Sequence, residues 1–351
     1  MLVKDKIRGC LFGGAAGDAL GYPVEFMDES AIRNTYGKDG IRSFVLTRAH
    51  ADEPGTALFS DDTQMTLFTA WGLFHCPEGE YPRYSVAKAY QDWLDTQEYT
   101  YNLWRKEKKT GFTELAEIPE LYARRAPGNT CMSALAQRRN QTEKVKSYIR
   151  SAINHSKGCG GIMRISPLAL YYPDMDLTEL DKEGAELSAI THSHSLGYMP
   201  SSVLIHILHR IVYPDREMTL KEIVLEARDI LPELFPGDRH LDELKNILDL
   251  SLELSENNKP DQENIHLLGE GWVAEETLGI ALYCALRYSG DFSAGIIAAV
   301  NHRGDSDSTG AVTGNILGAW LGYDQIGECW KKDLELKDLI LDTADRIAGH
   351  N

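Results

Sequence analysis

Apolar residues recur at spacings of three and four almost from end to end of this chain, and stretches that alternate apolar with polar positions are scarce. That period is the mark of amphipathic helices. It predicts helices over residues 7–20, 63–75, 85–96, 130–140, 166–171, 177–191, 199–212, 220–231, 240–255, 277–288, 293–300 and 332–347, with another opening onto residue 310. A short stretch at 41–46 reads as extended. Connectors with proline or glycine fall at 77–82, 126–128, 213–215 and 236–237, and the polar stretch 255–264 reads as a surface loop. None has the length or composition of an interdomain linker, so the expectation is an all-α, single compact domain over 1–351.

Two of these helices carry glycine where helices tolerate it poorly. Gly9, Gly13 and Gly17 form one stripe, and Gly310, Gly314 and Gly318 form another. Each glycine costs roughly 1 kcal/mol against alanine inside a helix. A spacing of four stacks them on one face, which predicts that each stripe admits a close neighbouring helix and that the two helices lie centrally, near one another.

Composition narrows the classes. With 36 lysines and arginines against 53 aspartates and glutamates, the net charge is −17, which argues against non-specific nucleic-acid binding and against an anionic membrane surface. The six cysteines, at positions 10, 76, 131, 159, 284 and 329, follow no short-spacing framework and read as reduced thiols. The first residues lack the apolar core of a secretory signal, and no run offers the ~18 apolar residues of a membrane span. A cytoplasmic monomer is the expectation.

The chemistry concentrates in two acidic turns. Asp305-Ser306-Asp307-Ser308 precedes the second glycine stripe, and Ser60-Asp61-Asp62-Thr63 opens an earlier helix. Asp and Ser are ordinary helix N-caps, and that is the simpler reading of either turn alone. Two adjacent aspartates exceed what a cap needs, however, and their repulsion is relieved by a cation. Hard divalent ions take oxygen ligands of this kind, so the turns predict a shared cage brought together by the fold. An EF-hand reading of Asp305-x-Asp307-x-Thr309-Gly310 fails because the twelfth position, where that loop needs a bidentate acid, is Ile316. The pair His192 and His194 lacks the cysteine spacing of a zinc site.

These motifs, with Gly13-Gly14-Ala15-Ala16-Gly17-Asp18-Ala19-Leu20-Gly21 and the following Glu25, Gly128-Asn129-Thr130, Gly158-Cys159-Gly160-Gly161-Ile162-Met163-Arg164 and Thr191-His192-Ser193-His194, occur in the order found in the ADP-ribosylglycohydrolases. The chain resembles that DraG-like family from about residue 9 to 323. The Asp-Ser-Asp-Ser-Thr-Gly and Thr-His-x-His forms are most similar to its ADP-ribosylarginine hydrolase branch. The resemblance implies an orthogonal multi-helix fold and a centre of two Mg2+ ions, with Mn2+ as the other choice. Ser60, Asp61 and Asp62 would hold one side of it and Asp305, Asp307 and Ser308 the other. It implies catalytic carboxylates at Asp61, Asp62 and Glu25, with the choice of general base open. Gly158, Cys159, Gly160, Gly161 and Met163 would form the diphosphate loop, with Asn129 and Thr130 on the same side. His192, His194 and Tyr198 would line or back the substrate.

The activity implied is hydrolysis of the N-glycosidic bond between ADP-ribose and an arginine side chain of a modified protein, with ADP-ribose as product. Two other readings remain: an immunity protein that neutralises an ADP-ribosylating toxin, and a related hydrolase of serine-linked, nucleic-acid-linked or free ADP-ribose derivatives. Intact ligands in both turns favour catalysis over binding alone.

Overall fold

Helices account for nearly all regular structure in the computed structural model, which describes residues 2–48, 54–107, 109–141 and 143–350. The fold is all-α, as the periodicity requires. Among the described residues, strand is limited to Leu46–Thr47 paired antiparallel with Thr56–Ala57, Leu46 opposite Ala57. Of the stretch read as extended, only Leu46 joins that ladder.

At the centre, the helix Val3–Gly21 runs antiparallel to the helix Ser306–Leu321. Their glycine stripes interlock as expected. A Cβ on Gly9 would lie 2.0 Å from the Gly318 carbonyl oxygen, one on Gly13 2.4 Å from that of Gly314, and one on Gly17 2.0 Å from that of Gly310. Backbone therefore packs on backbone, and Asn315 Nδ2 donates to the Cys10 carbonyl at 2.8 Å across the seam. The contact continues to Gly21, whose Cβ position meets the Ser306 carbonyl and Asp307 Cα. The end of the first helix is thereby pressed against the start of the last glycine helix, and this fixes where the site forms.

Most predicted helices occur with shifted ends. Residues 63–75 become Asp61–Phe74 because Ser60 caps the helix, its Oγ accepting from Asp62 N at 3.1 Å. Residues 199–212 become Ser195–Val212, capped by His194. Two helices break. The 220–231 run ends at Asp229, and Pro232 sits in the first turn of the separate helix Leu231–Leu234. The 332–347 run divides into Glu328–Lys331 and Lys337–His350. Between them Ala57 N donates to Asp333 O and Glu335 N to Ala57 O, drawing the backbone out of helix, and Leu336 turns with a positive φ of 47°. The 255–264 stretch is not all loop: Pro260 precedes the helix Asp261–Leu268, which covers a small second core of Leu254, Ile265, Leu268, Ile280 and Tyr283. Glu29–Tyr36 and Tyr101–Lys106 are short helices outside those predicted from the sequence. No helix is long and apolar enough to cross a membrane among the described residues.

Candidate active site

Three turns meet where the glycine helices begin and end. The first follows Val3–Gly21 as a single 3-10 turn, Tyr22–Val24, and delivers Glu25. The second is the start of Asp61–Phe74. The third is the start of Ser306–Leu321, where Asp305 N donates to the Glu270 carbonyl at 2.8 Å. Gly304 makes this turn possible: its φ is +125°, and a Cβ there would lie 2.0 Å from that same carbonyl oxygen.

The result is a buried group of six carboxylates, Asp18, Glu25, Asp61, Asp62, Asp305 and Asp307. Glu25, Asp305 and Asp307 each bring one oxygen to within 4.8 Å of the others. Asp61 and Asp62 belong to the same group, since the Asp307 charge acts on both. Apart from those of Asp18, few donors reach these oxygens. Ser308 N donates to Asp307 Oδ1 at 3.0 Å and approaches Asp305 Oδ1 at 3.4 Å, while Gly128 N lies 3.4 Å from Asp61 Oδ2. Among the described residues, Glu25 Oε2 and Asp62 Oδ2 are buried without a hydrogen-bond partner.

Burial, and next the charge of Asp307, hold Glu25 up to about 10 and Asp18 up to about 7, and push Asp61, Asp62 and Asp305 well above the usual carboxylate range. Burial also raises Asp307. So many carboxylates sharing one buried space require protons or a cation. The donors are hard oxygens, including the Ser60 and Ser308 hydroxyls, and two carboxylate oxygens are free to ligate. This set fits divalent cations such as Mg2+ or Mn2+.

Asp18, quoted in the glycine-rich motif but assigned no role, organises the second turn. It lies fully buried and accepts from Ser60 N at 2.8 Å, from Thr63 N at 3.0 Å and from the Thr63 hydroxyl. Its signal in the sequence is an aspartate inside the run 9–21, which is otherwise apolar residues and glycine. Arg125 pins the same turn from outside. It donates to the Phe59 carbonyl at 2.9 Å, pairs with both oxygens of Glu335 at 2.8 Å, and takes Asp61 N on its own carbonyl.

The glycine-rich loop lies alongside as the turn Cys159–Gly161. Cys159 Sγ is 2.6 Å from Asp305 Oδ2, and Ser308 Oγ lies 3.9 Å from Met163 Sδ, so the loop abuts the third turn. Cβ atoms at Gly160 and Gly161 would strike Cys131 Sγ and Ser188 Oγ at 2.7 and 1.9 Å. His192 backs this loop: its ring lies against Gly158 and Gly160, and its Nδ1 meets the Thr191 hydroxyl at 2.8 Å. Burial, reinforced by the Arg164 charge, holds His192 down to about 3, so the ring is neutral. Thr130 Oγ1 meets Ser156 Oγ at 3.1 Å, and Asn129 is exposed at the start of Asn129–Arg138 beside Gly128. His194 accepts from Leu196 N as a helix cap and its ring meets His240, while the Tyr198 ring packs on Phe235. These last contacts involve none of the six carboxylates.

The family model described as ADP-ribosylglycohydrolase matches residues 1–351. ADP-ribosylhydrolase ARH3 of Gallus gallus is 24% identical over 361 residues, covering 94% of this chain and 89% of the relative. The ADP-ribosyl-(dinitrogen reductase) glycohydrolase of Rhodospirillum rubrum is 25% identical over 338 residues, covering 95% and 92%. A solved structure described as an ADP-ribosylglycohydrolase-related protein complex shares the fold, with a TM-score of 0.68 at 22% identity over 99% of this chain and 98% of that one. The carboxylate turns, the glycine loop beside them and the match over all 351 positions converge: the chain belongs to the ADP-ribosylglycohydrolase family and is a glycohydrolase of ADP-ribose conjugates.

Proposed function

We propose that residues 1–351 act as one domain that removes ADP-ribose from modified arginine side chains, using two Mg2+ ions (or Mn2+) held by Ser60, Asp61, Asp62, Asp305, Asp307 and Ser308. The observation that carries this reading is the convergence of buried carboxylates from three turns far apart in sequence. The lean to arginine rests on the Asp-Ser-Asp-Ser-Thr-Gly and Thr-His-x-His forms of the motifs. All six cysteines are free, which suits a reducing cytoplasm.

When bound, the metals supply Lewis acidity toward ribose hydroxyls and water. The chain's own residues do the rest. Cys159–Gly161, with the start of Asn129–Arg138, forms the cradle for the diphosphate, its glycines letting backbone approach the anion. His192 holds that cradle in shape from behind. In the reaction the bond from the anomeric carbon to the arginine nitrogen breaks and a bond to the water oxygen forms. Water gives up a proton to a carboxylate, and the leaving guanidine nitrogen takes one up. In the metal-loaded site, where these carboxylates are ionised, either Asp62 Oδ2 or Glu25 Oε2, oxygens without a hydrogen-bond partner among the described residues, takes that proton. The remaining carboxylates stabilise the positive charge that develops on the ribose.

The test is turnover of arginine-, serine- and nucleic-acid-linked ADP-ribose, each with metal and with chelator. Asp305→Ala and Asp307→Ala should each lower cleavage of the arginine conjugate by about two orders of magnitude or more, and chelation should do the same reversibly. Wild-type rates in chelated enzyme would refute the metal mechanism. Turnover confined to the serine or nucleic-acid conjugate would refute the arginine assignment alone.

A further inference from the structure

Glu25 and Gly271 are each followed by an aromatic residue, and the two rings meet. Phe26 and Trp272 stack with centroids 5.9 Å apart and planes 22° from parallel. Both are open to solvent, Phe26 by 74% and Trp272 by 39%. Each is tethered to a wall of the carboxylate site. Phe26 is covalently next to Glu25. Gly271 packs against Asp305 and Thr309, and the Trp272 carbonyl accepts the Cys159 amide at 3.3 Å. The pair therefore bridges the Glu25 turn and the turn that braces Asp305, and its position relative to the reacting groups is set by backbone.

Beside Trp272 lies a surface hollow of about 640 Å3 whose lining includes Glu270, Glu276, His266 and Arg303. Glu270 pairs with Arg303 at 2.6 Å, and Glu276 accepts from the amides of Glu270 and Gly271. Aromatic faces set among carboxylates in a chain of net charge −17 suit a planar cation.

Resting on the arginine reading above, we propose that Phe26 and Trp272 form the leaving-group subsite. Their faces take the guanidinium of the ADP-ribosylated arginine, and the segment of target protein that carries it occupies the hollow beside Trp272. A guanidinium is planar, remains charged after modification and stacks on rings, whereas a serine hydroxyl linkage presents no such group. The pair is thus a specificity determinant for the linkage, separate from the residues that hold ADP-ribose.

Two measurements on the same metal-loaded proteins test this: steady-state kinetics with ADP-ribosylagmatine, and calorimetric titration with ADP-ribose. Phe26→Ala and Trp272→Ala should each raise KM for ADP-ribosylagmatine by roughly 2- to 30-fold. The Kd for ADP-ribose should stay within about twofold of wild type, and Trp272→Phe should restore most of KM by keeping a ring face. An unmoved KM overturns the subsite. So does a parallel rise in the Kd for ADP-ribose, which would put the rings on the nucleotide side. A wild type that binds ADP-ribose yet leaves ADP-ribosylagmatine intact overturns the arginine reading and this subsite with it. Cleavage by wild type and both alanine variants with equal KM overturns the subsite alone.

Discussion

Asp18 does its work without reaching the substrate side of the site. Its two oxygens hold the amides of Ser60 and Thr63, so the carboxylates of Asp61 and Asp62 leave the turn in a set direction. Asp18→Asn would keep the shape but turn a donor toward donors. Disturbing a group one step behind metal ligands commonly costs about 10- to 100-fold in metal affinity or activity. Asp18→Asn should fall in that range by Mn2+ titration calorimetry; unchanged affinity would show that the turn keeps its form unaided. The raised carboxylates also make a signed prediction about pH. A carboxyl whose pKa is raised on folding contributes stability fully below its unfolded value and loses it as pH climbs through the folded value. For Asp18 that window runs from 3.8 to about 7, and for Glu25 from 4.5 to about 10. Chelated protein should therefore lose Tm as pH rises through this window. Metal, which binds the charged cluster, should raise Tm more at about pH 8 than at about pH 6. Differential scanning fluorimetry checks the sign, and a metal effect that fades with rising pH contradicts it.

Between elements, the interlocked glycines decide how much change the fold accepts. At Gly314 an ideal Cβ already lies 2.0 Å from the Gly13 carbonyl oxygen. Gly314→Leu should destabilise by about 3 kcal/mol or more, beyond ordinary overpacking, because the obstructing atom is backbone. Even Gly314→Ala should lower Tm, and a Tm equal to wild type would mean the helices separate freely. This seam was legible in the sequence because a stripe of glycine four residues apart has few uses inside a helix. The acidic turns were legible for a similar reason, since paired aspartates exceed a cap's needs. Other features carried no local signal. The break before Lys337–His350 arises from pairing of 333–335 with Ala57, a contact no window of sequence contains. Arg125 is a lone arginine in a loop, and its partners Phe59 and Glu335 come from distant segments. Trp272 likewise sits in a stretch without motif, and only the fold brings it to Phe26.

Over the whole molecule, the seam between Val3–Gly21 and Ser306–Leu321 has a consequence for the order in which the protein can be made. The bonded pair Cys10 and Asn315 stands 305 positions apart. A ribosome delivers the first helix early, and that helix must wait with its glycine face unpaired until the last glycine helix leaves the exit tunnel. The same late arrival carries Asp305 and Asp307, so ADP-ribose binding and the central packing should appear together, once residues 306–321 have emerged. Long-range pairing of this kind slows folding and leaves incomplete chains exposed. Nascent chains arrested before residue 306 should be digested readily by added protease and should bind no ADP-ribose, whereas chains released with residue 321 clear of the tunnel should gain both protections at once. A chain arrested early that already resisted protease would show that the first helix finds another partner while it waits.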